Sequence, residues 1–251
     1  IRRPPRSTLS PSSAASDVYK RQIIDLGCGL AQWVKVLQDL GYDVSGVDYS
    51  VTALRKAKQY DDRLTLIASD VLNLPFRDQV FDAAITLGVI EHFKEGPNAL
   101  LKEIRRILKE EGLLFISVPF FNPVRKMKFY LNFYGKIEGH VKVTSYSPLK
   151  NFYQYAFSKK LFSRYLAENG FRIVDIIHYA GVKGLLDEIP GGVSLKRSLL
   201  NFDAKKVNNE KVRTPRTRSA YKAVYMLMRK ALDKFFGHMI LFVAKKQCNI
   251  N

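Results

Sequence analysis

Residues 22–33 read QIIDLGCGLAQW, and this stretch decides the fold. A short apolar segment of strand length leads directly into Gly27 and Gly29, and a helical pattern follows. Glycine adopts backbone conformations that other residues resist and lets a ligand approach the main chain closely. The stretch therefore predicts a strand, a tight turn and a helix, with a nucleotide-like ligand held at the turn.

Three kinds of glycine turn compete for this stretch. A phosphate-binding P-loop needs a lysine and a hydroxyl residue at its end, and neither is present. A dinucleotide fingerprint needs a third glycine at position 32, where the chain has Gln32. The third alternative is S-adenosylmethionine (SAM), which ends in an amino acid and needs an acceptor near its ammonium group. Asp25, two residues before Gly27, meets that need.

Two further acids follow, each at or just after the end of a predicted strand. Asp48 ends the second predicted strand, where an ionised carboxylate can accept both ribose hydroxyls. Asp70 follows the third strand and is placed for the adenine amino group, with Val71 and Leu72 beside the ring. The predicted cofactor-binding residues are Asp25, Gly27, Cys28, Gly29, Asp48, Tyr49, Asp70, Val71 and Leu87.

Strands and helices alternate through the first half of the chain, which predicts a parallel sheet with helices on both faces. The first helix carries an apolar stripe in which Trp33 is expected in the core and Gly41 ends the helix. A helix opened by Pro97 carries a second stripe that runs through Leu108. The predicted strands are 22–26, 42–47, 64–68, 80–87, 113–118, 171–179 and 238–246, and Ser50 and Ser158 are predicted helix N-caps.

Residues 22–118 resemble a class I SAM-dependent methyltransferase of the broad type 11 group, which includes ubiquinone and small-molecule methyltransferases. The resemblance implies a Rossmann-like α/β domain over 22–251, with seven strands in the order 3-2-1-4-5-7-6 and the last strand antiparallel. It places Ala31 where the family commonly has a third glycine. In the family one or two helices normally precede the first strand, whereas here that strand starts almost where residues 1–21 end.

Glu91 and His92 follow the fourth strand and are the candidate catalytic residues. A histidine there could remove a proton from a substrate hydroxyl, or the pair could simply order the loop. His140 and His178 are alternative bases, with a surface or core role as the other interpretation. Some ubiquinone-pathway relatives bind a metal through a carboxylate three residues earlier. That position is Gly88 here, so no metal site is predicted.

The net charge of +18 is uneven along the chain. Residues 23–119 carry a net −3, whereas 120–165 and 193–236 carry most of the positive charge. These stretches overlap two predicted inserts, 119–157 and 180–236, the first rich in aromatic residues. Such segments could line an acceptor pocket as a lid, contact an anionic membrane surface, or stack bases of a nucleic acid. The family places substrate-binding inserts here, which favours an acceptor lid.

Composition limits the remaining alternatives. Two cysteines cannot form a disulfide framework, and no apolar run is long enough for a membrane span, so we expect a cytoplasmic protein, peripheral to the membrane at most. Residues 1–21 lack any periodicity and resemble translated adapter sequence, so we expect a non-native or disordered leader.

The fourth strand lacks the Asn/Asp-Pro-Pro-aromatic element of amino-group methyltransferases. The expected reaction is methyl transfer to oxygen of a small-molecule, lipid-linked or saccharide-like acceptor. An RNA methyltransferase and an inactive SAM-binding protein remain the alternatives.

Overall fold

The structure, a computed structural model, describes residues 21–131, 135–137, 140–143, 154–181, 233 and 237–248. The strands are β1 (Gln22–Leu26), β2 (Asp43–Asp48), β3 (Thr65–Ala68), β4 (Phe81–Leu87), β5 (Leu108–Pro119), β6 (Gly135–Ile137), β7 (His140–Val143), β8 (Gln154–Ala156), β9 (Phe171–Tyr179) and β10 (Met239–Lys246). The helices are α1 (Gln32–Asp39), α2 (Val51–Tyr60), α3 (Asn98–Ile107), α4 (Pro123–Tyr130) and α5 (Lys159–Glu168), with a short 3₁₀ turn at Ile90–His92.

Seven of the strands form one sheet in the order β3-β2-β1-β4-β5-β10-β9. This is the predicted order 3-2-1-4-5-7-6, because β10 and β9 are the seventh and sixth strands of the prediction. The first four strands run parallel, with Asp25 in register with Gly46 of β2 and Ile85 of β4. The antiparallel end of the sheet is also confirmed. The carboxyl ends of β1 and β2 therefore lie side by side, where parallel α/β sheets bind ligands.

The chain divides into two compact units. The first takes the described residues of Ile1–Thr86, Ala99–Phe115 and Lys245–Asn251, and the second takes those of Leu87–Asn98 and Ile116–Ala244. In the first unit, Ser50 caps α2 as predicted, because its hydroxyl accepts the Ala53 N–H at 3.3 Å. One core cluster here joins apolar side chains of β1, β2, β4, α1 and α2 with two from residues that flank these elements: Ile23, Ala31, Val34, Val44, Ala57, Leu64 and Ala83.

The orientation predicted for α1 is wrong. Trp33 is 52% exposed, and Leu30 and Leu40 are exposed as well. The buried line of this helix is Ala31 and Val34, three residues apart, which face the sheet. Trp33 precedes Val34 by one residue and so lies about 100° around the helix, away from the sheet.

The boundary between α3 and β5 also differs from the prediction. The helix ends at Ile107, and the strand starts at Leu108, five residues before the predicted start. Leu108 is buried, as its apolar character predicts, but in extended backbone. The Lys246 ammonium donates to the Leu108 carbonyl at 2.8 Å and pairs with Glu110 at 2.9 Å. This buried lysine binds the first residues of β5 in their extended form.

The second unit includes part of the predicted aromatic insert 119–157. Its described residues contain α4 and a three-stranded antiparallel sheet, β6-β7-β8. The rings of Phe157 and Phe162 lie 5.1 Å apart, and Phe162 packs 5.1 Å from Phe242 of β10. All three rings are buried, so these aromatic side chains form core. Ser158 caps α5 as predicted, accepting the Leu161 N–H at 3.2 Å.

Several predictions lie outside the described residues. They are the leader at 1–21, apart from residue 21, and most of the insert at 180–236. Within the part of the chain that the structure describes, no helix is both long and apolar enough to cross a bilayer.

Candidate active site

The glycine turn joins β1 to α1 and folds back onto β2. The amides of Gly27 and Cys28 both donate to the Val47 carbonyl, at 2.7 and 3.0 Å. Gly27 and Gly29 have φ angles of 74° and 53°, in the left-handed region that glycine adopts without strain. A Cβ placed on Gly29 would meet no atom within 4 Å, so the turn is open on that side. The backbone of the turn is thus accessible on the side of Gly29.

Ala31 shows why the family commonly has a third glycine here. It precedes α1 with φ 57° and ψ 31°, a left-handed conformation that costs an alanine free energy. Its side chain is fully buried against Val34 and Val44 in the core of the first unit. The burial of the methyl group offsets part of the backbone strain, so alanine is tolerated.

Asp48 connects the turn to the end of β2. Its Oδ2 accepts the Gly29 N–H at 2.8 Å, and its Oδ1 accepts the Ser50 N–H at 2.8 Å. An ionised carboxylate has about four acceptor positions, so each oxygen keeps capacity for a further donor. Asp48 is half-buried, and its neighbour Tyr49 is 84% exposed.

Asp25 is a buried acid in the same unit, only 3% exposed. Burial, and secondarily the negative charge of Asp48, raise the pKa of its carboxyl to about 7. A carboxyl in this state gains charge stabilisation from any cation placed beside it. The electrostatics therefore fit a positively charged ligand group at the end of β1.

Cys28 lies on the inner side of the turn. Its sulfur would come 2.8 Å from a Cβ added to Gly46, which also faces Leu66 and Val34 at 2.9 Å each. Burial, followed by the charges of Asp25 and Asp48, raises the pKa of the thiol to about 12. A thiol with such a high pKa is not a nucleophile at neutral pH. The Cys28 side chain therefore has a packing role in the turn.

The third acid, Asp70, sits on an exposed turn after β3. Its Oδ1 accepts the Leu72 N–H at 2.9 Å, and its carbonyl accepts the Asn73 N–H at 3.1 Å. Asp70 as a whole is an exposed residue. Of the two apolar residues expected beside an adenine ring, Val71 is buried and Leu72 is half-buried.

The segment after Asp70 is held by α3. Glu103 Oε1 accepts the Leu74 N–H at 2.7 Å, and Arg106 donates to the carbonyls of Leu74 and Phe76 at 3.1 and 2.7 Å. Arg106 also pairs with Glu103 at 2.7 Å and with Asp78 at 2.8 Å. The helix side chains thus fix the path of this segment.

In the second unit, Leu87, Glu91 and His92 lie at or just after the end of β4. Glu91 is 2% exposed, and burial raises the pKa of its carboxyl to about 7. His92 is exposed, and Leu87 is half-buried. His178, an alternative base, packs edge-on against Phe120 with ring centroids 5.0 Å apart. The side chain of His140 is outside the described residues.

The sequence interpretation missed a buried polar cluster in the second unit. Arg125 is 2% exposed and donates to the Phe120 carbonyl at 2.8 Å and to the His238 carbonyl at 3.3 Å. Asn122 is fully buried and donates to the Gly237 carbonyl at 3.2 Å. The sequence analysis treats this stretch only as part of a basic insert, and the available signal was Asn122 directly before Pro123, three residues ahead of Arg125.

Comparison with known proteins identifies the fold and the domain. Residues 24–116 match the family model described as a methyltransferase domain, Methyltransf_11. A SAM-dependent methyltransferase structure from Methanosarcina mazei superposes with a TM-score of 0.60 over 96% of this chain and 99% of that chain, at 17% identity. A Burkholderia thailandensis 1,6-didemethyltoxoflavin N1-methyltransferase with bound S-adenosylhomocysteine superposes with a TM-score of 0.52 over 96% and 79% of the two chains, at 16% identity.

Curated relatives match over the same region. "Probable tRNA methyltransferase 9B" of Mus musculus is 39% identical over 101 residues, 38% of this chain and 21% of that protein. Demethylmenaquinone methyltransferase of Staphylococcus saprophyticus is 33% identical over 129 residues, 45% of this chain and 54% of that protein. The chain thus spans between about a fifth and about a half of the length of these two relatives.

Proposed function

Residues 24–116 form a class I SAM-dependent methyltransferase domain of the type 11 family, and on that premise we propose that the chain methylates a hydroxyl oxygen. The acceptor in this proposal is a small-molecule, lipid-linked or saccharide-like compound. The observation that carries the proposal is the pair Asp25 and Asp48 beside an open glycine turn. Two carboxylates at the ends of adjacent strands match two polar groups of SAM, its ammonium and its ribose diol.

The residues of the first unit fit SAM in charge and in hydrogen-bonding capacity. Asp25, buried and with a raised pKa, would hold the ammonium group, because a cation recovers the cost of ionising that carboxyl. Asp48 would accept the ribose hydroxyls on the lone pairs that Gly29 and Ser50 leave free. Asp70 would accept the adenine amino group.

The remaining cofactor contacts are proposed from position. The open side of Gly29 would admit the ligand close to the backbone, and Leu72 and exposed Tyr49 would cover apolar parts of the nucleoside. Gly27 and Cys28 complete the turn, with Val71 and Leu87 as further lining residues.

The chemistry needs little from the protein beyond alignment and a proton acceptor. SAM supplies a methyl group on a sulfonium, which is already a good leaving group. The chain would hold the acceptor hydroxyl in line with that methyl group, and a base would take the hydroxyl proton. Glu91 and His92 are the proposed bases, and a carboxyl with a pKa of about 7 is well matched to neutral pH.

The first experiment measures SAM binding by calorimetry and methyl transfer from methyl-labelled SAM to fractionated cell extract. We expect Asp48→Ala to weaken SAM binding at least tenfold, while Asp43→Ala, at the opposite end of β2, leaves it unchanged. An unchanged affinity in Asp48→Ala would overturn the cofactor assignment. SAM binding without transfer to any fraction would instead favour an inactive SAM-binding protein.

A second candidate acceptor is RNA. It is favoured by the net charge of +18 and by the relatives named as tRNA methyltransferase 9B. Binding of a mixed tRNA preparation with a steep salt dependence, together with label transfer to it, would support this candidate. Binding that is absent or independent of salt would leave the small-molecule or lipid-linked acceptor.

A further inference from the structure

The described residues of the second unit include two buried polar atoms that lack a partner. Glu91 is 2% exposed and Ser117 is fully buried. Within the described part of the chain, neither Glu91 Oε2 nor Ser117 Oγ has a hydrogen-bond partner. Buried polar atoms are nearly always paired, because an unpaired one loses its hydration without compensation. Two such atoms in one unit indicate a place where a ligand completes the hydrogen bonding.

The fold brings these two residues to the same end of neighbouring strands. Glu91 lies in the 3₁₀ turn just after β4, and Ser117 lies near the end of β5. Gly88 connects them, because its N–H faces the Ser117 carbonyl at 3.5 Å and a Cβ added to it would lie 3.6 Å from Glu91 Oε1. Gly88 has φ 76°, so it also turns the chain between the strand and Glu91.

Tyr179, the last residue of β9, is the third member of this group. Burial raises the pKa of its phenol, the Ser117 hydroxyl lowers it, and the charge of Glu91 raises it further. The Ser117 hydroxyl and the Glu91 carboxyl thus both act on this phenol, although the Ser117 hydroxyl does not complete a hydrogen bond with it. Tyr179 is only half-buried, so the group is reachable from solvent at this residue.

We propose that Glu91, Ser117 and Tyr179 form one binding site for a hydroxyl group of a neutral molecule. The Glu91 oxygen needs a donor, whereas the Ser117 hydroxyl can donate to a ligand oxygen, and a hydroxyl group satisfies both at once. A carboxylate or phosphate would have no proton for Glu91 and would be repelled once that carboxyl ionises. An ammonium group could donate to both Glu91 and the Ser117 oxygen, but it would leave the Ser117 hydroxyl proton without an acceptor.

This site rests on the proposed function for its role in catalysis, since the bound hydroxyl would be the one that is methylated. In that reaction the new O–CH₃ bond forms as the S–CH₃ bond of SAM breaks, and the hydroxyl proton passes to the Glu91 carboxylate. The products are the methyl ether, S-adenosylhomocysteine and protonated Glu91. Tyr179 would be a positioning residue, holding the hydroxyl between Glu91 and Ser117.

The test uses three fluorinated probes of one ring size, followed by ¹⁹F NMR titration against the full chain. 4-Fluorophenol carries the hydroxyl, 4-fluoroanisole lacks its proton, and 4-fluorobenzoate is an anion. We expect 4-fluorophenol to bind at least tenfold more tightly than either of the other two. Equal binding of all three probes would overturn the proposal.

Variants then locate the probe. Ser117→Ala and Tyr179→Phe each remove one hydroxyl and should weaken 4-fluorophenol binding about three- to tenfold. Glu91→Leu should abolish its preference over 4-fluoroanisole. Glu95→Gln, an exposed carboxyl on the same loop, is the matched control and should bind like the wild type. Thermal unfolding checks that each variant is folded.

Calorimetry with SAM on the same samples separates this proposal from the preceding one. If the wild type binds SAM and the three site variants bind 4-fluorophenol as tightly as it does, the hydroxyl site is wrong and the cofactor assignment stands. If 4-fluorophenol binds as expected but SAM does not bind, the hydroxyl site stands and the proposed function fails.

Discussion

The Asp48 carboxylate fixes the glycine turn to the end of β2, through a 2.8 Å hydrogen bond that the Gly29 N–H donates to its Oδ2. The same carboxylate accepts the Ser50 N–H on its other oxygen. One side chain therefore sets the position of the turn, starts α2 and is the proposed acceptor for the ribose. Replacing it affects both the shape of the site and its hydrogen bonding.

Asp48→Asn separates these two roles. The amide keeps one oxygen, so it can accept only one of the two backbone N–H groups, and its NH₂ group faces the other. We expect SAM affinity to fall more than tenfold and the free energy of unfolding to fall by about 1–2 kcal/mol. Calorimetry and urea unfolding measure the two effects. Asp43→Asn, exposed at the start of the same strand, should change neither; equal effects in both variants would contradict the prediction.

SAM affinity should depend on pH through Asp25. Its folded pKa is about 7 without a ligand, and a bound ammonium group favours the ionised form, so binding releases a proton. Affinity should therefore rise with pH, by about eightfold between pH 6 and pH 7.5 if the bound carboxyl has a pKa near 5 or below.

Asp25→Asn supplies the control for this dependence. The variant should bind SAM weakly at both pH 6 and pH 7.5. Its SAM affinity should no longer show the part of the pH dependence that Asp25 causes. A wild-type affinity that is flat from pH 6 to pH 7.5, or that falls, would contradict a protonated Asp25 in the free protein.

Glu91 should lower stability as the pH rises. Its folded pKa is about 7 and its ordinary value is 4.5, so the folded chain holds this proton more tightly than the unfolded chain. Its contribution to stability is thus largest below pH 4.5 and falls by about 3 kcal/mol by the time the pH exceeds 7.

Urea unfolding of Glu91→Gln against the wild type tests this sign. The free energy of unfolding of the variant should increase relative to that of the wild type as the pH rises from 4.5 to 8, because a neutral amide has no proton to lose. Asp25 contributes with the same sign in both proteins, and so cancels from the difference. A difference that does not change with pH would show that Glu91 is not buried as described.

Arg125 should be a major stabilising residue of the second unit. Its Nη2 lies 3.0 Å from His238 Nδ1, and since a guanidinium only donates, that ring nitrogen must accept and the proton must sit on Nε2. Arg125→Met leaves the Phe120 and His238 carbonyls without this donor, and we expect a loss of about 3 kcal/mol by urea unfolding.

Two further variants control for charge and size. Lys126→Met removes a neighbouring positive charge from an exposed position and should cost less than about 0.5 kcal/mol. Arg125→Lys keeps the charge but cannot reach the same set of acceptors. Its loss of unfolding free energy should lie between the losses in Lys126→Met and Arg125→Met. Similar losses in Lys126→Met and Arg125→Met would contradict the role given to the buried guanidinium.

Gln79→Gly should stabilise the first unit. Gln79 is exposed and has φ 57°, where glycine avoids the strain of a side chain, so a gain of about 0.5–1 kcal/mol is expected. Ala31→Gly is the matched variant, with the same φ angle but a fully buried methyl group. In Ala31→Gly the free energy of unfolding should stay the same or fall. The loss of the buried methyl group offsets the relief of the backbone strain. Equal gains at both sites by thermal unfolding would contradict this balance.

The family and the order of the strands were predictable from the sequence because local signals agree with each other there. The acid before the glycine turn, the caps Ser50 and Ser158, and the alternation of strands and helices all lie within short stretches. The predicted family is confirmed for residues 24–116, and the predicted cofactor and sheet order are confirmed as well. The roles of the individual site residues remain predictions.

Other features could not be predicted because they depend on contacts between distant parts of the chain. Trp33 matches an apolar stripe, yet only the sheet decides which side of that stripe is buried. Leu108 continues the spacing of α3, but buried Lys246, 138 residues later, binds its carbonyl in extended backbone. Glu91, Ser117 and Tyr179 come from three separate strands or turns and form no sequence motif.

The network of Glu103 and Arg106 has a consequence for how such a domain can change its specificity. The segment after Asp70 receives its course from side chains of α3, which bind its backbone amide and carbonyl groups. Backbone groups are the same whatever residues the segment carries. Recognition of the ligand and support of the segment are therefore encoded in separate places, and the residues at positions 71–73 could be exchanged during evolution without redirecting the chain.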